Sequence, residues 1–161
     1  MRVIDNQFTN CRIGINSNST GSVLIYGGQV EGNEFNDVQT QIRASGGKYL
    51  QVTNQNQFNP LIGTQQDNQF GIFLNQERAF VIQDNHFTRL RYGIVSTNSR
   101  VSGGQINYLG QGNIFTECWR SIHLQQNHQN LRIKCNKHLN PSSTLYNNNF
   151  LEGLFFQFIT S

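Results

Sequence analysis

The chain has 161 residues, which is enough for one domain with a packed core and too few to argue for two. Only 13% of its residues are charged, about half the usual fraction, whereas 22 Asn and 18 Gln supply most of the polar side chains. This composition excludes a charge-rich coiled coil, and the 12 Phe and 5 Tyr exclude a wholly disordered chain.

Charge patterning and segment lengths remove further classes of protein. The net charge of +3 is spread along the chain without a clustered basic run, so we expect no nucleic-acid partner. Neither an apolar stretch of about 18 residues nor a signal-peptide pattern occurs, so the sequence predicts no membrane span. Three cysteines without CxxC spacing disfavour a disulfide framework and a structural zinc site. We therefore expect no metal and no cofactor.

A repeated Asn-x-Phe pattern organises the chain from its start. Five full copies and an imperfect sixth, in which His138 replaces the Phe, follow at spacings of 27, 23, 29, 28 and 23 residues. In four copies an Ile lies seven residues beyond the Phe, whereas the copy at Phe58 reaches Ile72 only after seven extra residues. Repeats of this length indicate a solenoid. The repeated asparagines are Asn6, Asn33, Asn56, Asn85, Asn113 and Asn136.

The local pattern within each copy predicts short strands rather than helices. Apolar runs such as residues 23–25, 80–82 and 93–95 are broken by Asn, Gly and Ser, and no helical period is sustained. The frame of a leucine-rich repeat is also absent. We therefore predict an all-β fold, a parallel β-helix of about six coils with three short strands in each coil.

Stacked coils would give each repeated position a structural role. Equivalent asparagines at a corner would hydrogen-bond up and down the stack as a ladder, and the phenylalanines would point inward. A second inward column, three residues beyond the Phe, includes Cys11 and Cys118. We expect both cysteines to be buried core residues, too far apart to form a disulfide.

The Asn-x-Phe and Gly-Ile repeats of residues 3–138 resemble those of the right-handed parallel β-helix in the pectin-lyase-like superfamily. The chain is most similar there to β-helical segments of large exported or surface proteins of bacteria. This implies an extracellular or cell-surface location and further domains contiguous with the chain. We expect residues 1–161 to form one domain, with 139–161 supplying a C-terminal strand or cap. Because no capping helix precedes Val3, we expect either a longer protein or another chain to cover that end.

The superfamily contains polysaccharide lyases and glycoside hydrolases, so an enzyme is the alternative interpretation. Arg132-Ile133-Lys134 matches a tripeptide of the pectinolytic hydrolases, but their grouped aspartates and their Gly-His-Gly are absent. We expect Ile133 to point inward and its two neighbours outward. The 9 acidic residues form no obvious carboxylate pair in the repeat frame. We predict no catalytic residue and favour a noncatalytic scaffold, and we interpret four residues as polar surface groups: His86, His123, His128 and His138.

Positions four and eight beyond the Phe are expected to face outward and to form the candidate binding surface. Arginines and aromatic rings there would suit stacking and hydrogen bonding to a sugar ring, so a polysaccharide is the candidate partner. The alternative for Trp119 is that it packs under the neighbouring insertion. An ice-binding surface is disfavoured because Asn36 and Asn59 interrupt the column of outward threonines. The predicted binding residues are Arg43, Phe73, Arg91, Trp119 and His123.

Overall fold

The regular elements of the protein are β-strands, and no helix occurs among the residues that the computed structural model describes. None of them forms a helix that is long and apolar enough to cross a bilayer. The described residues are 2–18, 28–47, 50–59, 69–77, 80–98, 107–109, 112–126, 128–129, 131–139, 145–147, 151–152 and 155–158. In chain order the strands are β1 (Arg2–Ile4), β2 (Gln7–Asn18), β3 (Gly28–Glu31), β4 (Glu34–Ser45), β5 (Leu50–Thr53), β6 (Gln57–Phe58), β7 (Phe70–Asn75), β8 (Phe80–Ile82), β9 (His86–Thr88), β10 (Tyr92–Thr97), β11 (Asn107–Leu109), β12 (Ile114–Thr116), β13 (Arg120–Gln125), β14 (His128–Gln129), β15 (Leu131–Leu139), β16 (Leu145–Asn147), β17 (Leu151–Glu152) and β18 (Phe155–Phe158).

The strands stack in parallel on three sides of a wound chain. Side one consists of β1, β3, β5, β8, β11, the start of β15 and β18, each paired with the next. Side two consists of the Asn-x-Phe segments. Side three consists of the segments around the recurrent Ile, and ends at β16. The predicted all-β, parallel β-solenoid is therefore confirmed.

The repeated positions of the sequence lie in register. On side three, Ile72 pairs with Ile42 and Ile94 although seven extra residues precede it, so the alignment of the isoleucines is unchanged. On side two, parallel pairing aligns the aromatic positions Phe8, Phe35, Phe58, Phe87, Phe115 and His138. On side three it aligns Ile15, Ile42, Ile72, Ile94 and Ile122.

Each corner of the coil contains a residue with a left-handed backbone. Such a conformation costs a residue other than Gly on the order of 1 kcal/mol, so the stacked strands must offset this strain at each corner that does not use Gly. The corner before each ladder asparagine uses Asp5, Gly32, Gln55, Asp84, Gly112 and Cys135, with φ between 53° and 75°. The corner after side two uses Asn10, Arg89 and Glu117, and the corner after side three uses Gly46, Gln76, Asn98 and Gln126.

The predicted asparagine ladder is present at the first of these corners. In each of its five steps, Nδ2 of one asparagine donates to Oδ1 of the next at 2.8 to 3.2 Å. The first asparagine, Asn6, is exposed, and the other five are buried. The ladder therefore satisfies amide groups that would otherwise lie unpaired in the interior. Four of the asparagines also donate to a carbonyl of the preceding coil: Asn33, Asn56, Asn85 and Asn113.

The core on side two is a stack of aromatic rings. Successive Phe rings lie 4.6 to 5.1 Å apart between centroids and are tilted by only 4 to 10°. This spacing matches the distance between paired strands, so backbone pairing and ring stacking support the same register. Phe8 in the first rung is half-buried, whereas the other four phenylalanines have no exposed surface. His138 extends the stack, with its ring 5.1 Å from that of Phe115.

A small residue lies beside most of these rings, because the ring occupies the space that a larger side chain at that position would need. A Cβ atom on Gly93 would lie 2.6 Å from Cε1 of Phe115 and 2.6 Å from the carbonyl oxygen of Ser121. Gly71 meets the ring of the following coil in the same way. One coil beyond Gly93 this position holds Ser121, and the ring of the rung after it is His138. An imidazole is smaller than a phenyl ring, so the two changes compensate each other.

The two core cysteines are free, as expected, and they differ in burial. Cys118 has no exposed surface, whereas Cys11 in the first rung is half-buried and packs against the edge of the core. Burial raises the pKa of the Cys118 thiol to about 12. Its Sγ lies 3.5 Å from the carbonyl oxygen of Phe87, in a bond that joins two coils. Cys118 therefore acts as a small apolar residue with a weak donor.

Candidate functional site

Arginine and aromatic side chains gather on side three across successive coils. Parallel pairing aligns the predicted residues Arg43 and Phe73 directly, and it continues through Val95 to His123. Arg43 is exposed and Phe73 is half-buried. We name the aromatic–arginine cluster by the residues whose rings and guanidinium groups meet: Phe70, Phe73, Arg91, Tyr92, Trp119, Arg120 and His123.

Tyr92 lies at the centre of the aromatic–arginine cluster. Its ring stacks on Phe70 of the preceding coil, with centroids 5.1 Å apart and planes 11° apart. It also stacks on His123 of the following coil at 5.5 Å, and Trp119 meets it edge-on at 5.7 Å. Phe70 in turn contacts Phe73 edge-on at 5.6 Å. Rings from three coils therefore form one continuous group, held in place by the paired strands beneath them.

Two guanidinium groups lie over the indole ring of Trp119. Cζ of Arg91 is 4.3 Å from the ring centroid, and Cζ of Arg120 is 4.0 Å from it. Both arginines are also within 6 Å of the Tyr92 ring. A stacked guanidinium keeps its N–H donors in its own plane, so it can donate to a ligand oxygen while the ring holds it. The indole of Trp119 therefore fixes the positions of both arginines.

His123 belongs to the cluster but is not the exposed group that the sequence predicted. It shares a register column with the exposed Arg43, yet only 4% of its surface is exposed, and Val95 between them is 2% exposed. The Tyr92 ring packs against the imidazole and shields it. Burial first, and the charge of Arg120 second, lower the pKa of His123. A neutral imidazole here avoids a third positive charge beside two arginines.

The interpretation of the histidines as surface groups is also wrong for His138. Its ring continues the core stack under Phe115, and burial lowers its pKa. The stacking position explains this, because a residue aligned with five phenylalanines points inward whatever its polarity. His86 is half-buried, and the side chain of His128 lies outside the described residues.

Three members of the cluster were missed by the sequence prediction. They form a single register column two residues before the recurrent Ile. Tyr92 and Arg120 lie five residues beyond the Phe of their repeats, a position that was not expected to face outward, and Phe70 follows the insertion after Phe58. Counting back from the Ile would have revealed an aromatic, an aromatic and an arginine on consecutive coils. The missed residues are Phe70, Tyr92 and Arg120.

The described acidic residues belong to no group of side chains that could hold a metal ion. No three His, Cys, Asp or Glu side chains among those residues lie together as a metal ion would require. Glu77 is buried and accepts a hydrogen bond from the Gly47 N–H at 2.9 Å, and burial raises the pKa of its carboxyl group. In the tripeptide of residues 132–134, Ile133 is buried and Arg132 is exposed, as predicted, while the side chain of Lys134 lies outside the described residues.

Comparisons with known proteins identify no family for the chain. No protein-family model matches it, and no curated protein and no solved structure matches it. The functional interpretation therefore depends on the fold and on the aromatic–arginine cluster.

Proposed function

We propose that the chain is a noncatalytic β-solenoid segment of an exported or cell-surface bacterial protein, a rigid scaffold that binds a glycan on the aromatic–arginine cluster. The observation that carries this proposal is the alignment of rings and guanidinium groups on consecutive coils of one side. The resemblance of the repeats to the pectin-lyase-like superfamily supports the location and the class of ligand.

The scaffold role follows from how the cluster is held. Its residues lie on or directly beside strands β7, β10 and β13, which pair with one another in parallel over Phe70–Asn75, Tyr92–Thr97 and Arg120–Gln125. The inward residues of these strands, such as Ile72, Ile94 and Ile122, are buried. Side chains on paired strands lose little freedom when a ligand binds, and this pre-organisation favours affinity.

The chemistry of the cluster suits a sugar in two complementary ways. The half-buried ring of Phe73, which meets Phe70 edge-on, offers apolar surface for the C–H face of a pyranose. The guanidinium groups of Arg91 and Arg120 offer fixed donors for hydroxyl or carboxylate oxygens. We assign stacking to Phe73. We assign the positioning of the arginines to Tyr92 and Trp119, because Phe70 and His123 cover the two faces of the Tyr92 ring and two guanidinium groups already lie over the indole.

Retention of the purified chain on a panel of neutral and acidic polysaccharides tests this proposal. We expect Phe73→Ala to weaken retention about tenfold or more, because it removes the stacking ring, and Tyr92→Ala to weaken it because the neighbouring arginines lose their support. Arg132→Ala is the control, since Arg132 is exposed on side one, away from the cluster. Folding of each variant is checked by circular dichroism. Unchanged retention of a folded Phe73→Ala variant would show that the cluster is not the glycan site.

The enzyme alternative is checked with the same polysaccharides. A polysaccharide lyase or glycoside hydrolase releases unsaturated or reducing ends, whereas a noncatalytic scaffold releases neither. The incubation is run with and without calcium. Release of either product by the pure chain would replace the scaffold proposal with an enzyme.

A further inference from the structure

Two arginines of the aromatic–arginine cluster come from neighbouring coils and share the same two rings. Cζ of Arg91 lies 4.3 Å from the ring centroid of Trp119 and 5.9 Å from that of Tyr92. Cζ of Arg120 lies 4.0 and 5.7 Å from the same two centroids. The backbone N–H of Arg120 also donates to the carbonyl oxygen of Arg91 at 2.9 Å, which places the two residues side by side. The fold itself therefore holds the two guanidinium groups close together.

This arrangement concentrates positive charge on one small area of side three. Both arginines are half-buried, so water screens their mutual repulsion less than it would on a fully exposed surface. Burial keeps the neighbouring His123 neutral, because its pKa is lowered. The carboxylate of Glu117, two residues before the indole, lies 3.2 Å from Nε of Arg89 and is engaged by that arginine. An anion that accepts from both guanidinium groups would offset their repulsion.

The number of donors indicates which kind of anion fits best. A guanidinium group donates through a planar fork of two parallel N–H groups. One such fork occupies both oxygens of a carboxylate. A sulfate or phosphate monoester has three terminal oxygens in a tetrahedral arrangement, so it can accept from two forks at once. Two guanidinium groups over one pair of rings therefore favour the three-oxygen ester.

The stacking ring lies one coil away from this pair of arginines. Phe73 meets Phe70 edge-on at 5.6 Å, and Phe70 stacks on Tyr92 at 5.1 Å between centroids. The strands that carry Phe73 and Tyr92 are directly paired, so they lie one strand spacing of about 4.8 Å apart. A sugar ring against Phe73 therefore lies beside the guanidinium groups, within reach of an ester on that sugar or on the next one.

We propose that the charged group recognised by the aromatic–arginine cluster is a sulfate or phosphate monoester on a sugar, which binds in preference to a carboxylate. The inference rests on the proposed glycan-binding function and narrows its ligand class. Arg91 and Arg120 each donate a fork to the ester oxygens. Trp119 and Tyr92 hold the two guanidinium groups, and the sugar ring packs against Phe73. Sulfate and phosphate esters present the same three oxygens, so the test has to separate them.

Fluorescence of the full chain tests this proposal, because Trp119 is the only tryptophan in the sequence and reports on the cluster alone. The chain is titrated with four dextrans of equal length: unmodified, carboxymethylated, sulfated and phosphorylated. The three charged forms carry the same number of groups per sugar, and ionic strength is fixed. We expect at least one ester to reach half-saturation at a concentration about tenfold or more below that of the carboxymethyl form. The tighter of the two esters identifies the source of the three oxygens.

Lysine variants separate the fork from its charge. Arg91→Lys and Arg120→Lys keep the positive charge but replace the planar fork with a point charge. We expect each to lose most of the preference for the ester over the carboxymethyl form. Arg132→Lys is the matched control, since Arg132 is exposed on side one, and we expect it to leave the preference unchanged. All three variants keep the indole, and circular dichroism checks their folding.

Three results would overturn the proposal. The first is half-saturation by the carboxymethyl form at the same or a lower concentration than by both esters. The second is an unchanged preference in the folded Arg91→Lys and Arg120→Lys variants, and the third is no response to any of the four dextrans. The proposed function fails by a different readout, which is retention that does not depend on Phe73. A chain that is retained through Phe73 but shows no ester preference keeps the glycan function and loses this inference.

Discussion

Nδ2 of Asn56 donates a hydrogen bond to Oδ1 of Asn85 at 2.8 Å, although 29 residues of chain separate the two asparagines. The same amide donates to the carbonyl oxygens of Val30 and Thr53. Its own Oδ1 accepts from the backbone N–H and Nδ2 of Asn33. One side chain, which has no exposed surface, therefore links three coils.

Replacing Asn56 with alanine leaves several of these buried groups without a partner. We expect Asn56→Ala to lower the free energy of unfolding by about 2–4 kcal/mol. Urea denaturation followed by circular dichroism measures it. Asn6→Ala is the matched control, because Asn6 is exposed at the end of the ladder, and its expected cost is about 1 kcal/mol or less. Equal losses for the two variants would mean that the ladder bonds do not depend on burial.

Ser121 and His138 should be energetically coupled. The register that places Gly93 beside Phe115 places Ser121 beside His138. We expect His138→Phe alone to destabilise the protein, because the larger ring meets the Ser121 side chain, and Ser121→Gly to relieve that clash. A double-mutant cycle should give a coupling of about 1 kcal/mol or more. Additive single and double variants would show that the two residues fit their rung independently.

Stability should fall as the pH drops from 8 towards 5.5. Burial lowers the pKa of His123 and of His138 below the ordinary value of 6.5, so the unfolded chain binds protons that the folded chain excludes. The contribution of both groups is fully present above pH 6.5 and is lost below it, by at most about 1.4 kcal/mol per pH unit for each histidine.

Two comparisons isolate this effect. The Ser121→Gly/His138→Phe variant should lose the part of the pH dependence that His138 contributes. Glu77 acts in the opposite direction, because burial raises the pKa of its carboxyl above 4.5 and protonation then favours the folded state. Urea midpoints at a series of pH values measure the sum. Identical pH dependence of the midpoint in the native chain and in the Ser121→Gly/His138→Phe variant would contradict burial of the His138 imidazole, because Glu77 contributes equally to both.

Thiol labelling should distinguish Cys118 from the other cysteines. Cys118 has no exposed surface and its pKa is about 12, so almost no thiolate forms at pH 8. We expect iodoacetamide to modify Cys118 only after unfolding, whereas the half-buried Cys11 and Cys135 react in the folded protein. Peptide mass spectrometry after a timed reaction measures this. Labelling of Cys118 at the same rate with and without denaturant would refute its place in the core.

The fold could be predicted because its repeats consist of residue types that strongly prefer particular positions, such as Asn at a corner and Phe in a core. Asparagine two residues before Phe recurs with the register that the strands later adopt, so Asn85 and Phe87 could be assigned to a corner and a core stack from spacing alone. The spacing aligned His138 with the phenylalanines, but its burial was not predicted, because a polar residue type was taken to indicate the surface. In the structure its ring continues the core stack. Burial of a whole column depends on neighbours that spacing does not reveal.

The aromatic–arginine cluster was less predictable for a related reason. Arg91 and Trp119 were identified from their place after the Phe, but the contact that organises them is with Tyr92 and Arg120, one position further along. At that position the strand turns onto side three, and a simple alternation of inward and outward residues fails. His123 is buried because the Tyr92 ring covers it, and the spacing of the repeats does not indicate this contact.

The amides of the ladder all point the same way along the solenoid. Every described step donates from the earlier asparagine to the later one, from Asn6 through to Asn136. Their carbonyl dipoles are therefore aligned, with oxygen towards the first coil and the NH₂ group towards the last, and aligned hydrogen-bonded amides polarise one another. The ladder therefore contributes a dipole along the solenoid axis, and this dipole is independent of the net charge of +3.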